Sequence, residues 1–110
     1  MKIHRYKDEK FASTISKFAA EYFGVESSKD SLMTVTYTDI LDRGRRAIVY
    51  FTTLPREKEK EALDFAKRRR RDFRQFIMTK KTFCFAPSVD FAIDLGEYNR
   101  QRIDELSQNI

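Results

Sequence analysis

The stretch that most constrains the fold is Ala-Leu-Asp-Phe-Ala-Lys-Arg-Arg-Arg-Arg-Asp-Phe-Arg-Gln-Phe-Ile, residues 62–77 of the 110-residue chain. At about 100° per residue, its small and apolar positions would share one face of a single helix: Ala62, Ala66, Phe73 and Ile77. Arg69 and Arg70 fall on that same face, where two guanidinium groups would point into the core. Two interpretations stay open. Either one continuous helix lets its long Arg side chains reach back to solvent, or two helices meet near residues 66–70 and leave the cations in an exposed bend.

The remaining helical signals lie on either side of a polar and β-rich region. Apolar residues recur at three- and four-residue spacing from Asp8 to Phe23, which predicts an amphipathic helix with Asp8 as its N-cap and Gly24 as its stop. A second helical pattern begins after Pro55 and runs to about Met78, and it contains the stretch quoted above.

Between these helices the pattern predicts a β-hairpin. In residues 32–38, the apolar positions Met33, Val35 and Tyr37 alternate with three threonines. This alternation is typical of a strand with one face in the core and one face in solvent. The turn Asp42-Arg43-Gly44 then leads into a β-branched and aromatic strand over residues 46–53.

A third strand and a final helix complete the predicted order. Val89, Phe91 and Ile93 alternate with smaller or polar residues, which predicts the strand. After Gly96 a short helix is expected, with inward positions at Tyr98 or Asn99, Ile103 and Leu106. The order α-β-β-α-α-β, followed by this last helix, predicts an α+β fold in which helices cover one face of a three-stranded sheet.

Length and composition predict a single domain over residues 1–110. The chain has 41% hydrophobic residues for a core and too few Gly (3) and Pro (2) for a linker. The sequence contains no apolar run long enough to cross a membrane and no apolar block near the N-terminus, so we expect a cytoplasmic protein. We expect it to be monomeric when free.

Positive charge is concentrated in one segment. Residues 67–81 carry eight Lys or Arg and one acid, a net charge of +7, whereas the whole chain has a net charge of +5. A localised basic surface predicts a polyanionic partner. The candidate RNA-binding residues of this segment are Lys67, Arg68, Arg69, Arg70, Arg71, Arg74, Lys80 and Lys81. Arg43 and Arg45 on the hairpin turn form a second, smaller cluster, which could equally serve to keep the hairpin soluble.

The residues that could support chemistry are sparse. The single His4 and the single Cys84 are far apart in sequence, which disfavours a zinc site. The chain lacks a Gly-rich phosphate loop, and the aromatic residues Phe73 and Phe76 follow the helical phase of packing residues. We therefore expect no enzymatic activity, no metal and no cofactor.

The order and the motifs of these elements resemble the ribosome-binding factor A family, whose members act in maturation of the small ribosomal subunit. The resemblance covers most of the chain. It rests on two hairpin strands, a Pro-initiated third strand and a closing Arg-Ile-Asp-Glu-Leu, which here are residues 33–36, 47–51, 87–94 and 102–106. It implies a type II KH-like domain that presents a positively charged bend between two helices to RNA.

The chain departs from this family at the bend. Members generally carry an Ala-x-Gly kink between the two helices, but this sequence has no glycine between Gly44 and Gly96. Because positive φ costs about 1 kcal/mol or more without glycine, the expectation is a softer bend, or none.

Three functional hypotheses follow. The first, which the resemblance implies, is a factor that binds the immature small ribosomal subunit and its rRNA and assists late small-subunit maturation. The second is a generic KH-like module for other RNA or single-stranded DNA in another complex. The third is a protein-interaction domain whose basic helix binds an acidic partner.

Overall fold

The computed structural model describes residues 2–26, 32–80 and 86–96. The elements are α1 (Lys2–Glu26), β1 (Leu32–Leu41), β2 (Arg46–Leu54), α2 (Glu59–Arg68), α3 (Arg70–Thr79) and β3 (Ser88–Ile93). Short 3-10 turns at Asp42–Gly44 and Arg56–Lys58 precede β2 and α2. This order confirms the predicted α-β-β-α-α-β arrangement and the α+β class. The expected last helix, with Tyr98 or Asn99, Ile103 and Leu106, lies outside the described residues.

Helix α1 is longer than its sequence pattern predicts. It begins at Lys2, so Asp8 is not its N-cap, and it continues past Gly24 to Glu26. A glycine inside a helix costs about 1 kcal/mol relative to alanine. Tyr22 and Phe23, directly before Gly24, are 5% and 2% exposed, and their burial outweighs that cost.

The sheet has the order β1-β2-β3, with β2 in the centre. Strand β2 is antiparallel to β1 and parallel to β3, so that Arg46 lies opposite Ser88 at the start of both parallel strands. Alternate residues of β2 are buried against the helices, namely Ala47, Val49, Phe51 and Thr53. The other face of the sheet carries Ile48, Tyr50 and Thr52, which are half-buried.

A β-bulge in β1 corrects one predicted orientation. The register shifts between Val35 and Tyr37, which turns the following side chains to opposite faces. Tyr37 therefore points away from the helices with 44% exposure, and Thr38 is buried at 8%. The Thr38 hydroxyl lies 2.6 Å from that of Ser16 on α1. The prediction that Met33, Val35 and Tyr37 share one face is wrong for Tyr37.

The core lies between the sheet and the three helices. Phe73 of α3 has no exposed surface, and its ring centroid is 5.7 Å from Phe91 of β3 and 6.2 Å from Phe23 of α1. Phe76 is half-buried, with its ring 5.3 Å from Tyr22. The prediction that Phe73 and Phe76 are packing residues is confirmed. Within the described part of the chain, none of the helices combines the length and apolarity that a membrane span requires.

Candidate RNA-binding surface

The long helical pattern is interrupted at Arg69. This residue has φ −97° and ψ 8°, in the bridge region, which residues with a side chain can adopt. Its N–H donates to the Ala66 carbonyl at 3.0 Å, and its own carbonyl accepts the Phe73 N–H at 2.8 Å. The interpretation as two helices is confirmed. The expectation that the bend could be absent without glycine is wrong, because the break uses no positive φ.

The Arg69 side chain is turned inward. It is half-buried, and its guanidinium carbon lies 5.0 Å from the centroid of the Phe65 ring. It also interacts with the hydroxyl of Tyr22, which donates a hydrogen bond to Asp72. Burial, followed by the hydrogen bond to Asp72, raises the pKa of Tyr22 to about 12, and Arg69 partly opposes this shift. Arg69 thus helps to join the break to α1.

Five other predicted cations come together around one shallow depression. We call these residues the basic surface: Lys67, Arg68, Arg70, Arg71 and Arg74. The depression has a volume of about 510 Å³, and Ser88 and Val89 at the start of β3 complete its lining. The break at Arg69 is what brings the end of α2 and the start of α3 to the same depression.

Backbone carbonyls hold three of these guanidinium groups. Arg68 donates from Nε to Asp64 at 3.3 Å, and Arg70 donates from Nε to Lys67 at 3.0 Å. Arg74 donates from Nε and Nη2 to the Ala86 carbonyl at 3.3 and 3.2 Å. Since a guanidinium has five N–H donors, each retains donors for a ligand. Within the described residues, Arg71 makes no side-chain hydrogen bond or ion pair.

One carboxylate lies directly against the basic surface. Oδ1 of Asp90 is 3.3 Å from Nη1 of Arg70 and 3.8 Å from Nζ of Lys67. Asp64 lies beside Lys67, Arg68 and Arg70 in a neighbouring depression. Asp72 is engaged with Tyr22 instead. Five cations against two nearby carboxylates leave an excess of three positive charges.

The structure places the remaining predicted residues elsewhere. Lys80 lies at the other end of α3, where Nζ is 2.9 Å from Glu21 and 4.7 Å from the Phe76 ring centroid. Lys81 lies outside the described residues. Arg45 is close to the basic surface through its backbone, since its carbonyl accepts the Ser88 N–H at 2.9 Å. Arg43 is exposed on the hairpin turn, with φ 55°.

Phosphate oxygens are the ligands that this arrangement fits best. Guanidinium groups donate pairs of parallel hydrogen bonds to phosphate, and the surface offers four of them beside one ammonium group. Among the described residues, no group of three or more His, Cys, Asp or Glu is placed to hold a metal ion.

Asp90 and Ser88 are the site residues that the sequence interpretation missed. Both belong to the predicted third strand, and neither type stands out in a search for cations. The signal available was topological: the α-α-β order brings the start of the last strand next to the helices, and Asp90 is an acid at that position.

No family model matches this sequence. No curated protein matches it either.

Solved structures do match. The crystal structure of ribosome-binding factor A from Thermus thermophilus aligns with a TM-score of 0.69 at 17% identity, over 78% of this chain and 94% of that chain. The solution structure of a candidate ribosome binding factor A from Thermotoga maritima aligns with a TM-score of 0.70 at 27% identity, over 83% of this chain and 90% of that one. The predicted resemblance is therefore confirmed, and the chain has the KH-like fold of ribosome-binding factor A.

Proposed function

We propose that this protein is a ribosome-assembly factor that binds the immature small ribosomal subunit and its rRNA and assists late small-subunit maturation. It acts in the cytoplasm as a single RNA-binding domain, monomeric when free, and by binding rather than by catalysis. The observation that carries the proposal is the basic surface at the break between α2 and α3, on a fold shared with ribosome-binding factor A structures.

Phosphate neutralisation would supply most of the affinity. Each Lys or Arg that pairs with a phosphate releases condensed counterions, so the binding constant falls steeply with salt. Side chains held by backbone carbonyls, such as Arg68 and Arg70, lose less freedom on binding than unrestrained ones. Shape then sets where the domain binds, because phosphate contacts carry no sequence information.

The direct test reverses two charges on this surface. Arg68→Glu/Arg71→Glu should abolish co-sedimentation with small ribosomal subunits at moderate salt. A matched control, Lys17→Glu/Lys60→Glu, makes the same change in net charge at exposed positions on α1 and α2 away from the depression. The proposal fails if the folded Arg68/Arg71 variant co-sediments as well as the control does.

A milder variant tests the mechanism. Arg68→Gln/Arg71→Gln removes two charges and should flatten the salt dependence of RNA binding by about 1.4 in the slope of log K against log salt, at about 0.7 per contact with a single strand.

A second experiment separates rRNA from other nucleic acids. The protein is captured from lysate, and bound RNA is sequenced with and without nuclease treatment. Enrichment of small-subunit rRNA supports the proposal. Enrichment of other RNA indicates a generic KH-like module, and complexes that survive nuclease indicate an acidic protein partner.

A further inference from the structure

The sheet face opposite the helices carries a pair of stacked tyrosines. Tyr37 of β1 lies opposite Tyr50 of β2, with ring centroids 4.4 Å apart and ring planes 11° apart. Tyr37 is 44% exposed. On β3, the residue opposite Tyr50 is Ala92, whose methyl side chain leaves space beside the pair. We call the stacked rings of Tyr37 and Tyr50 the aromatic ridge; the surface is lower beside it, at Ala92.

Carboxylates lie on both sides of this ridge. In one direction along the strands, Asp39 of β1 is in register with Ile48 of β2. In the other direction, Asp94 continues beside β2, where its N–H donates to the Phe51 carbonyl at 2.8 Å. Partial burial and Tyr50 raise the pKa of the Tyr37 hydroxyl, and the charges of Asp39 and Asp94 raise it further. Both carboxylates therefore lie within electrostatic reach of the ridge.

The carboxylates nearest the tyrosine pair, Asp39 and Asp94, have the charge opposite to that of the basic surface. By alternation, the acids on this side of the sheet that flank the tyrosine pair are Asp39 on β1 and Asp94 just after β3. The bases are Arg46 at the start of β2 and Arg56, which lines one depression with Asp94. Asp90 is turned towards Lys67 and Arg70 and belongs to the basic surface. A nucleic acid would bring its phosphates towards these carboxylates, which disfavours RNA as the ligand of this face. The tyrosine rings and the carboxylates both favour a cationic partner. Guanidinium and ammonium groups bind aromatic faces through cation–π attraction, and they form charge-assisted hydrogen bonds with carboxylates.

We propose that the sheet face opposite the helices binds an arginine- or lysine-bearing segment of a partner protein, with a cationic side chain against Tyr37 and Tyr50 and paired with Asp39 or Asp94. This surface is separate from the basic surface and does not depend on the proposed ribosomal role. The two surfaces would let one domain hold a polyanion on its helices and a basic protein segment on its sheet.

The test uses a defined peptide probe, acetyl-Gly-Arg-Gly-Arg-Gly-Arg-Gly-amide, titrated into the full chain and followed by NMR. The aromatic signals of Tyr37 and Tyr50 should shift, and the same peptide with citrulline in place of arginine should leave them unchanged. Tyr37→Leu/Asp39→Asn should weaken binding about tenfold, from loss of one cation–π contact and one charged partner. Asp39→Asn/Asp94→Asn keeps both tyrosines and should weaken binding several-fold, so the test does not depend on one variant folding.

Two control variants locate the effect. Glu57→Gln removes an exposed acid from the turn before α2 and should leave the affinity unchanged, whereas an equal loss of affinity would show nonspecific attraction and overturn the proposal. Arg68→Glu/Arg71→Glu should not weaken peptide binding.

Three further results would also overturn it. The first is a titration that leaves the Tyr37 and Tyr50 signals in place. The second is an RNA oligonucleotide that shifts them in the folded protein. The third is a dependence of these signals on protein concentration without peptide, which would assign the face to a second copy of this chain.

Discussion

Nη1 of Arg70, the first residue of α3, lies 3.3 Å from Oδ1 of Asp90 on β3. The same oxygen is 3.8 Å from Nζ of Lys67 and accepts the Phe91 N–H at 2.8 Å. The three charged side chains are 42–48% exposed, and exposed ion pairs contribute at most about 1 kcal/mol each. The importance of Asp90 is thus electrostatic: it lowers the positive potential of the basic surface.

Replacing Asp90 with Asn should strengthen RNA binding. The amide oxygen can still accept the Phe91 N–H, while the negative charge between Lys67 and Arg70 is lost. We expect affinity for a single-stranded RNA to rise several-fold at low salt, with the free energy of unfolding changed by less than about 1 kcal/mol. Fluorescence anisotropy across a salt series and urea unfolding measure the two quantities.

The matched control for this change is Asp39→Asn, which removes one acid from the opposite face of the sheet. It should leave RNA affinity nearly unchanged. If Asp90→Asn weakened RNA binding instead, the ion pairs would be holding Lys67 and Arg70 in a binding conformation.

Arg74 should contribute to stability as well as to charge. Its Nε and Nη2 both donate to the carbonyl of Ala86, and Ala86 is 3% exposed, so an unpaired carbonyl there would be poorly solvated. We expect Arg74→Gln to lower the free energy of unfolding by about 1–2 kcal/mol, and Arg71→Gln, at an exposed position on the same helix, to change it by less than about 0.5 kcal/mol. Equal effects in urea unfolding would show that the two bonds to Ala86 contribute little.

Much of this architecture was predictable because its signals are local. Alternation in β3 and helical phase in residues 62–77 identified buried residues, and β-branched and aromatic content identified β2. The phase conflict at Arg69 and Arg70 indicated where a break between two helices could lie. The position of Tyr37 was not predictable by alternation, because a bulge inserts one residue without changing the composition of the strand. The end of α1 was missed because tertiary burial of Tyr22 and Phe23 overrides the weak preference of Gly24.

The candidate site was less predictable than the fold. Charge density identified the cations but could not separate Arg69, which faces Phe65 and Tyr22, from Arg70, which faces Asp90. Arg69 lies at the break itself, between the two helices, and Arg70 is the first residue of α3. Lys80 belongs to the same run of charge, yet it lies one helix length away and pairs with Glu21 of α1.

Glycine should have opposite effects on stability at two arginines. Arg43 has φ 55°, a left-handed conformation that costs roughly 1 kcal/mol for a residue with a side chain, so Arg43→Gly should raise the free energy of unfolding by about 0.5–1 kcal/mol. Arg69 has φ −97° and needs no glycine, so Arg69→Gly should lower it by at least about 1 kcal/mol through added chain entropy and lost contacts. Urea unfolding of both variants measures these changes in the free energy of unfolding. If Arg69→Gly were stabilising, the backbone at Arg69 would be strained by its side chain.

The Tyr22 hydroxyl should make stability depend on alkaline pH. Its pKa is raised to about 12 in the folded chain, against about 10 when unfolded. The folded state therefore favours the neutral phenol, and its contribution is fully present below pH 10 and is lost as pH rises towards 12. Other groups also titrate there, so the informative quantity is the difference between the parent chain and Tyr22→Phe. At pH 8 the variant should be less stable by about 1–2 kcal/mol, because it lacks the hydrogen bond to Asp72. Between pH 10 and pH 11.5 this difference should shrink, since phenylalanine has no proton to lose. Urea unfolding over this range, with tyrosinate absorbance followed in parallel, measures both effects, and a difference that stays constant with pH would show that the phenol of Tyr22 ionises equally readily in the folded and unfolded chains.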